Sequence, residues 1–197
     1  MLAPKAKLRL LCFDLENRPL AYWYDGETTS EITAFGWKLV GDSTVHTMLL
    51  QPDGTFVVDG DEIVSDITAY KFFAEQLALV DLVYGHNIRR HDLPILNAGL
   101  LRRQLPTLPP LLTSDTSKDI PKRGGVSVSL ENLAAMYGLK GKKYTMSQPM
   151  WEDANRLTEA GIELARKRVT SDVLLQERLR KKLIALDLLK GPRVWRP

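Results

Sequence analysis

Three short runs of this 197-residue chain place acids where acids are awkward. The first is Phe13-Asp14-Leu15-Glu16-Asn17, at the end of an apolar stretch. Side chains alternate across a strand, so Asp14 and Glu16 share one face while Phe13 and Leu15 take the other. Two neighbouring carboxylates repel each other unless solvated or bound to cations. Oxygen ligands at this spacing suit hard divalent ions such as Mg²⁺ or Mn²⁺. A strand end that simply meets solvent explains a bare D-x-E as well. The second run is Gly85-His86-Asn87-Ile88-Arg89-Arg90-His91-Asp92, followed by Leu93-Pro94-Ile95-Leu96. Gly85 permits close backbone approach, and Asn87 offers both a donor and an acceptor. Asp92 opens a helix with Pro94 in its first turn, where an N-cap is the ordinary role. The third is Arg168-Val169-Thr170-Ser171-Asp172-Val173, where an ion pair between Asp172 and Arg168 at i−4 would suffice as an explanation.

The elements that must position these acids follow from periodicity. Residues 7–13, 31–40 and 44–51 read as strands, separated by turn signals at Asp25-Gly26 and Gly41-Asp42, which suggests an antiparallel meander. Residues 62–79 carry apolar residues at helical spacing. A short strand at 80–84, a helix from Asp92 to Leu105 and a strand near Leu111–Thr113 come next. Ser129 reads as an N-cap for LENLAAMYGL, ended by Gly138. The lysine-rich stretch 140–150 lacks periodicity, and 156–189 is a long helical region with a break expected near 167–171. The pattern predicts one α/β domain over 1–190, a mixed sheet flanked by helices, and an irregular tail at 191–197.

Order and context give the three runs a shared meaning. FDLE, GHNIRRHD followed by LPIL, SLENLAAMYGL and the helical SDV resemble the motifs of the DEDD (DnaQ-like) 3′–5′ exonuclease superfamily, over about residues 8–185. The segment from Trp151 through Gly161 to Asp172 is also similar, more loosely, to a bacterial and phage branch of such proteins. The resemblance implies a ribonuclease H-like fold whose mixed five-stranded sheet runs from an antiparallel meander into parallel strands. It implies that Asp14, Glu16, Asp92 and Asp172 hold two Mg²⁺ or Mn²⁺ ions about 3.5–4 Å apart. The activity implied is hydrolysis of phosphodiester bonds from the 3′ end of DNA, single strands preferred, as in proofreading or trimming during replication or repair. The same fold acting on RNA, an impaired relative that only binds nucleic acid or a DNA polymerase, and a structure-specific endonuclease are the alternatives.

One family feature is missing. The superfamily places a Tyr four residues, or a His five residues, before the last Asp; here those positions hold Arg168 and Lys167. Neither is a base at neutral pH. Three readings stay open: the metal site alone activates the water while Arg168 binds the scissile phosphate, Tyr144 or His91 supplies the function, or catalysis is lost. The resemblance puts Leu15, Asn17, His86 and Asn87 beside the terminal nucleotide. Lys140, Lys142, Lys143 and Lys167 are candidates for backbone phosphates, with Tyr144 or Trp151 stacking on a base. Trp151 as a core residue is the competing explanation. His46 reads as structural, and Trp195-Arg196 as either a partner anchor or a loose end.

Bulk properties are consistent with this and exclude other classes. Net charge is only +3, but from Lys140 onward 14 Lys/Arg face 7 Asp/Glu, a balance of +7, against −4 before it. A basic C-terminal third beside a more acidic part suits phosphates in one region and cations in another. The single cysteine, Cys12, rules out an intramolecular disulfide and a cysteine-rich zinc site, and its apolar context predicts a buried, inert thiol. The N-terminus lacks the pattern of a secretory signal, and no apolar run approaches the roughly 20 residues of a membrane span. A cytoplasmic protein without a membrane partner is expected, bacterial or, if phage-encoded, in the host cytoplasm.

Overall fold

The computed structural model describes residues 8–20, 30–121 and 126–197. The turn expected at Asp25-Gly26 lies outside them. Among the described residues, eight strands form one sheet: β1 (Leu10–Pro19), β2 (Ser30–Leu39), β3 (His46–Leu50), β4 (Phe56–Val58), β5 (Glu62–Val64), β6 (Leu82–Gly85), β7 (Leu111–Asp115) and β8 (Arg193–Trp195). Their order is β5-β4-β3-β2-β1-β6-β7-β8. Strands β1 to β5 are antiparallel in succession, whereas β6 joins β1, and β7 joins β6, in parallel. The fold is therefore α/β with a mixed sheet, meander first and parallel strands after, compatible with the ribonuclease H-like arrangement.

The strand count exceeds the five expected. A hairpin of β4 and β5 extends one edge, turning through Asp59 and Gly60, both at positive φ (49° and 100°). Ile63 pairs with Val57 there, so the helix expected from residue 62 starts only after Ser65, whose side chain accepts the Thr68 N–H. At the other edge the tail is a strand, not irregular. β8 runs antiparallel to β7, the Thr113 hydroxyl donates to the Arg193 carbonyl at 2.8 Å, and Trp195 packs against the main core.

Helices cover both faces. α1 (Asp66–Ala78) and α2 (Asp92–Arg102) bury the side that carries Phe13 and Leu15. Phe13 and Phe35 both meet Phe73 there, at centroid distances of 5.7 and 4.8 Å. The opposite face is crossed by α5 (Glu159–Ala185), a single 27-residue helix without the expected break. Val169 and Thr170, β-branched and poor helix formers in isolation, continue it because Val169 packs on Ala34 and against Gly36. A Cβ at Gly36 would sit 2.7 Å from a Val169 methyl, so glycine lets the helix approach the sheet. α3 (Leu130–Met136), capped by Ser129 as its sequence suggests, packs Leu130 and Leu133 onto Leu175, Leu179 and Leu183 of α5. α4 (Gln148–Asn155) was not expected: its short polar sequence hides the periodicity, but Ser147 stands at its N-cap and Pro149 in its first turn. Among the described residues, no helix is long and apolar enough to cross a membrane.

Candidate metal centre

Alternation along β1 sends Cys12, Asp14 and Glu16 toward α5, away from the aromatic core. A register shift between Glu16 and Asn17 interrupts the β1–β2 ladder just past the acids, and pairing resumes at Asn17–Ile32. α5 presents Arg168, Asp172 and Gln176 at successive i+4 steps toward the same spot. The first residue of α2 supplies Asp92, which is not the N-cap; His91 is, without a side-chain cap bond. The Asp92 carboxylate reaches back to β1 and accepts the Leu15 N–H at 3.1 Å.

Asp14, Glu16, Asp92, Arg168, Asp172 and Gln176 line one cleft of about 240 Å³, together with Leu15, His86, Asn87, His91, Leu130 and Lys143. Within it Asp14, Glu16 and Asp172 offer carboxylate oxygens that all lie within 4.8 Å of one another. Asp92 shares the cleft but stands outside that trio. A larger open groove, about 990 Å³, lies elsewhere, by the β2–β3 turn. It contains His46, which stacks on Trp37 at 5.5 Å and pairs with Asp59 at 2.7 Å, and among the described residues it gathers no comparable set of acids.

Electrostatics in the cleft are those of crowded acids. Burial, then Asp172, Asp92 and Glu16, push the Asp14 carboxyl well above its usual range. Burial raises Glu16 to about 7 against the pull of Arg168, and raises Asp92 to about 7 against the hydrogen bond from Leu15. Asp172 is raised by burial although Lys143 and Arg168 favour its charged form. Two cations partly balance the acids: Lys143 Nζ lies 3.0 Å from Asp172, and Arg168 Nε lies 3.4 Å from both Glu16 and Asp172. That Nε is buried without a hydrogen bond, while the other end of the guanidinium donates to the Tyr144 carbonyl and sits 5.6 Å from the Trp151 ring.

The stretch around Lys143 is tied to α5. Arg178 donates to the Lys140 carbonyl at 2.8 Å, and the Tyr144 N–H donates to Ser171 Oγ at 2.9 Å. Lys143 is delivered to the cleft by these contacts. Tyr144 holds α5 through its backbone and does not line the cleft. Neither do Asn17 or Lys167, the latter pairing with Glu163 at 3.6 Å on an exposed face.

The loop behind Asp92 is shaped by residues that carry no motif. Asn87 adopts φ 66°, a left-handed conformation that Asn tolerates, and its N–H donates to Asp115 at 2.8 Å. Asp115 also accepts from Arg89 N at 3.1 Å, and Asp119 holds the Arg89 guanidinium and the Asp115 N–H. Both aspartates are fully buried. His86 bonds Thr116 Oγ1 at 2.9 Å, and burial lowers its pKa to about 4, so it is a neutral ring at pH 7. Asp115, Asp119 and Gln176 escape a reading by motif because the Arg89 N–H, the Arg89 guanidinium and the Asp14 carboxylate that they bind are 26, 30 and 162 positions away. The TSDTSKD run, two acids flanking small hydroxyl residues, is the only local hint.

No family model matches the chain, and no curated protein matches it. Among solved structures it is similar to the family B DNA polymerase from the hyperthermophilic archaeon Pyrobaculum calidifontis, with a TM-score of 0.60 and 16% sequence identity. The match covers 90% of this chain and 25% of the polymerase chain, so this chain spans about a quarter of that protein's length. At this identity the likeness is one of fold.

The donor set itself tests whether divalent ions fit. It is all oxygen, with no sulfur or imidazole in the trio, which suits hard ions. Burial raises all three carboxyls, and at Asp14 the neighbouring Asp172, Asp92 and Glu16 raise it further. A cation-binding acidic cluster fits these residues.

Proposed function

We propose that this chain is a Mg²⁺- or Mn²⁺-dependent 3′–5′ exonuclease acting on DNA, with single strands preferred. The observation that carries the reading is the convergence of Asp14, Glu16 and Asp172 from opposite ends of the chain within 4.8 Å, with Asp92 in the same cleft. Three of these motifs are separately explicable; their meeting is not an ordinary outcome of strand ends and helix faces. The fold likeness to part of a DNA polymerase is a second support for a nucleic-acid substrate.

Asp14, Glu16 and Asp172 would hold one ion, and Asp14 with Asp92 would take part in a second. Bound ions would supply activation of the attacking water and neutralisation of the leaving 3′ oxygen. The chain's own groups do the rest. Lys143 and Arg168, which stand beside the acids, would be placed to meet the oxygens of the terminal phosphodiester. Leu15 lines the cleft but its side chain is buried in the core, so the Asn87 side chain is what would offer the terminal nucleotide a donor and an acceptor. Water adds to phosphorus, the bond to the 3′ oxygen breaks, and a nucleoside 5′-monophosphate leaves a strand with a new 3′ hydroxyl.

A second reading, a relative that binds nucleic acid or a polymerase without cutting, has one observation in its favour. The position four residues before Asp172 holds Arg168, paired with two of the acids, and among the described residues no Tyr lines the cleft. A time course on 5′-labelled single-stranded DNA and RNA with Mn²⁺, beside Asp14→Ala, separates the readings. Stepwise shortening by wild type and none by the variant supports the exonuclease; a strand shifted in a gel but never shortened supports the binder. Internal fragments or cleavage of closed circles would point to an endonuclease, and preference for RNA would change the substrate.

A further inference from the structure

Gln176 is 1% exposed and lies one helical turn beyond Asp172. Its Nε2 donates to Asp14 Oδ1 at 2.6 Å, a short contact for an amide and a carboxylate. Among the described residues this is the side-chain hydrogen bond that Asp14 receives. The other end of the amide is also engaged. Gln176 Oε1 lies 3.7 Å from Cys12 Sγ, which is itself 3.6 Å from the Val173 carbonyl. A thiol can donate to the oxygen and a carboxylate can only accept, so the pair of neighbours sets which end of the amide faces Asp14. Gly85 closes the space behind: a Cβ there would stand 3.0 Å from Gln176 Oε1 and 2.8 Å from the Phe13 carbonyl.

We infer that Gln176 is a positioning residue for the metal centre, holding the Asp14 carboxylate so that its remaining lone pairs face the cleft. The inference rests on the metal reading given under Proposed function and adds a residue to it that no motif contains. A buried amide is costly unless bonded, and in this helix Leu175, Leu179 and Leu183 show what the packing face otherwise prefers. Gln176 points instead at Asp14, a strand acid crowded by Asp172, Asp92 and Glu16. An amide donor favours that charge without adding one of its own, as an Arg or Lys would, and so does not compete with a cation. Groups that orient metal ligands from behind change metal affinity by about 10–100-fold when removed.

The test is Mn²⁺ binding by calorimetry on the full chain, comparing wild type with Gln176→Met and Gln176→Leu, both of which lack the N–H donor. Thermal unfolding without divalent ions is run alongside. The expected result is a Kd for Mn²⁺ weaker by about 10–100-fold, with unfolding in EDTA still cooperative and its temperature lowered at most modestly, because the Asp14 carboxyl loses one hydrogen-bond donor. If either variant that unfolds cooperatively near the wild-type temperature binds Mn²⁺ within about twofold of wild type, the inference is overturned. Two variants keep the test decisive should one of them misfold. Failure of the underlying reading looks different: wild type that binds no Mn²⁺ removes the metal centre and this inference with it. Wild type that binds Mn²⁺ but cuts nothing removes the exonuclease alone.

Discussion

Lys143 Nζ stands 3.0 Å from Asp172 Oδ2, placing a protein ammonium beside the acids that would hold a metal. The lysine is brought there by backbone bonds of its neighbours to Ser171 and Arg178, not by its own side chain. A fixed positive charge at that point disfavours entry of a divalent ion by simple repulsion. Lys143→Met is expected to tighten Mn²⁺ binding several-fold while weakening binding of single-stranded DNA and slowing turnover. Calorimetry and a gel-shift titration read the two effects separately. Unchanged Mn²⁺ affinity would show that the ammonium does not oppose the cation.

Arg168 bridges Glu16 and Asp172 at 3.4 Å and also ties the Tyr144 carbonyl to α5. Arg168→Ala should therefore slow turnover at saturating DNA, with a smaller effect of Arg168→Lys, which keeps the charge but loses the planar fork. Steady-state rates on a labelled strand measure this. Equal rates for all three proteins would remove Arg168 from the reaction.

Asp119 is fully buried and faces Arg89, whose side chain is 13% exposed. Removing one partner of such a pair leaves an uncompensated charge, typically at a cost of about 3–5 kcal/mol. Asp119 also accepts the Asp115 N–H at 2.8 Å, and Asp115 holds the backbone of Asn87 and Arg89. Asp119→Ala is expected to destabilise the chain on that scale and to loosen the loop before Asp92. Urea unfolding checks the first, and weaker Mn²⁺ binding the second. A loss under about 1 kcal/mol would mean that the pair contributes nothing net.

Much of this site was legible because local chemistry and global position agree. Asp14 and Glu16 could be placed on one face from strand alternation alone, and Asp172 on a helix from apolar spacing. Asp92 was legible as a helix start, but not its bond to Leu15, 77 positions away. The edges were less readable. β5 and β8 are three-residue strands, and pairing partners rather than propensity decide such short segments. α4 was hidden for a similar reason: only Ala154 of its eight residues is buried, too few to leave a period. Gln176 and Asp115 were silent because a side chain that supports another residue announces itself only through distance.

The protonation of the acids gives a final prediction, with a definite sign. Burial raises Glu16 from 4.5 to about 7 in the fold, so between those values the native state binds a proton that the unfolded chain has lost. Its contribution to stability is present in full below about pH 4.5 and lost as pH rises through 7. His86 acts oppositely, since burial lowers it from 6.5 to about 4 and the native state loses stability as pH falls through that window. The two overlap, so the Glu16 effect is read as a difference. Without divalent ions, the stability of wild type relative to Glu16→Gln should fall between pH 5 and 7, with a slope of at most about 1.4 kcal/mol per pH unit. Mn²⁺ selects the ionised carboxylates, so its binding near pH 6 should release protons to the buffer, and fewer at pH 8. Urea curves of the two proteins that stay parallel across this range, or Mn²⁺ binding without proton release at pH 6, would show that Glu16 is already ionised in the fold.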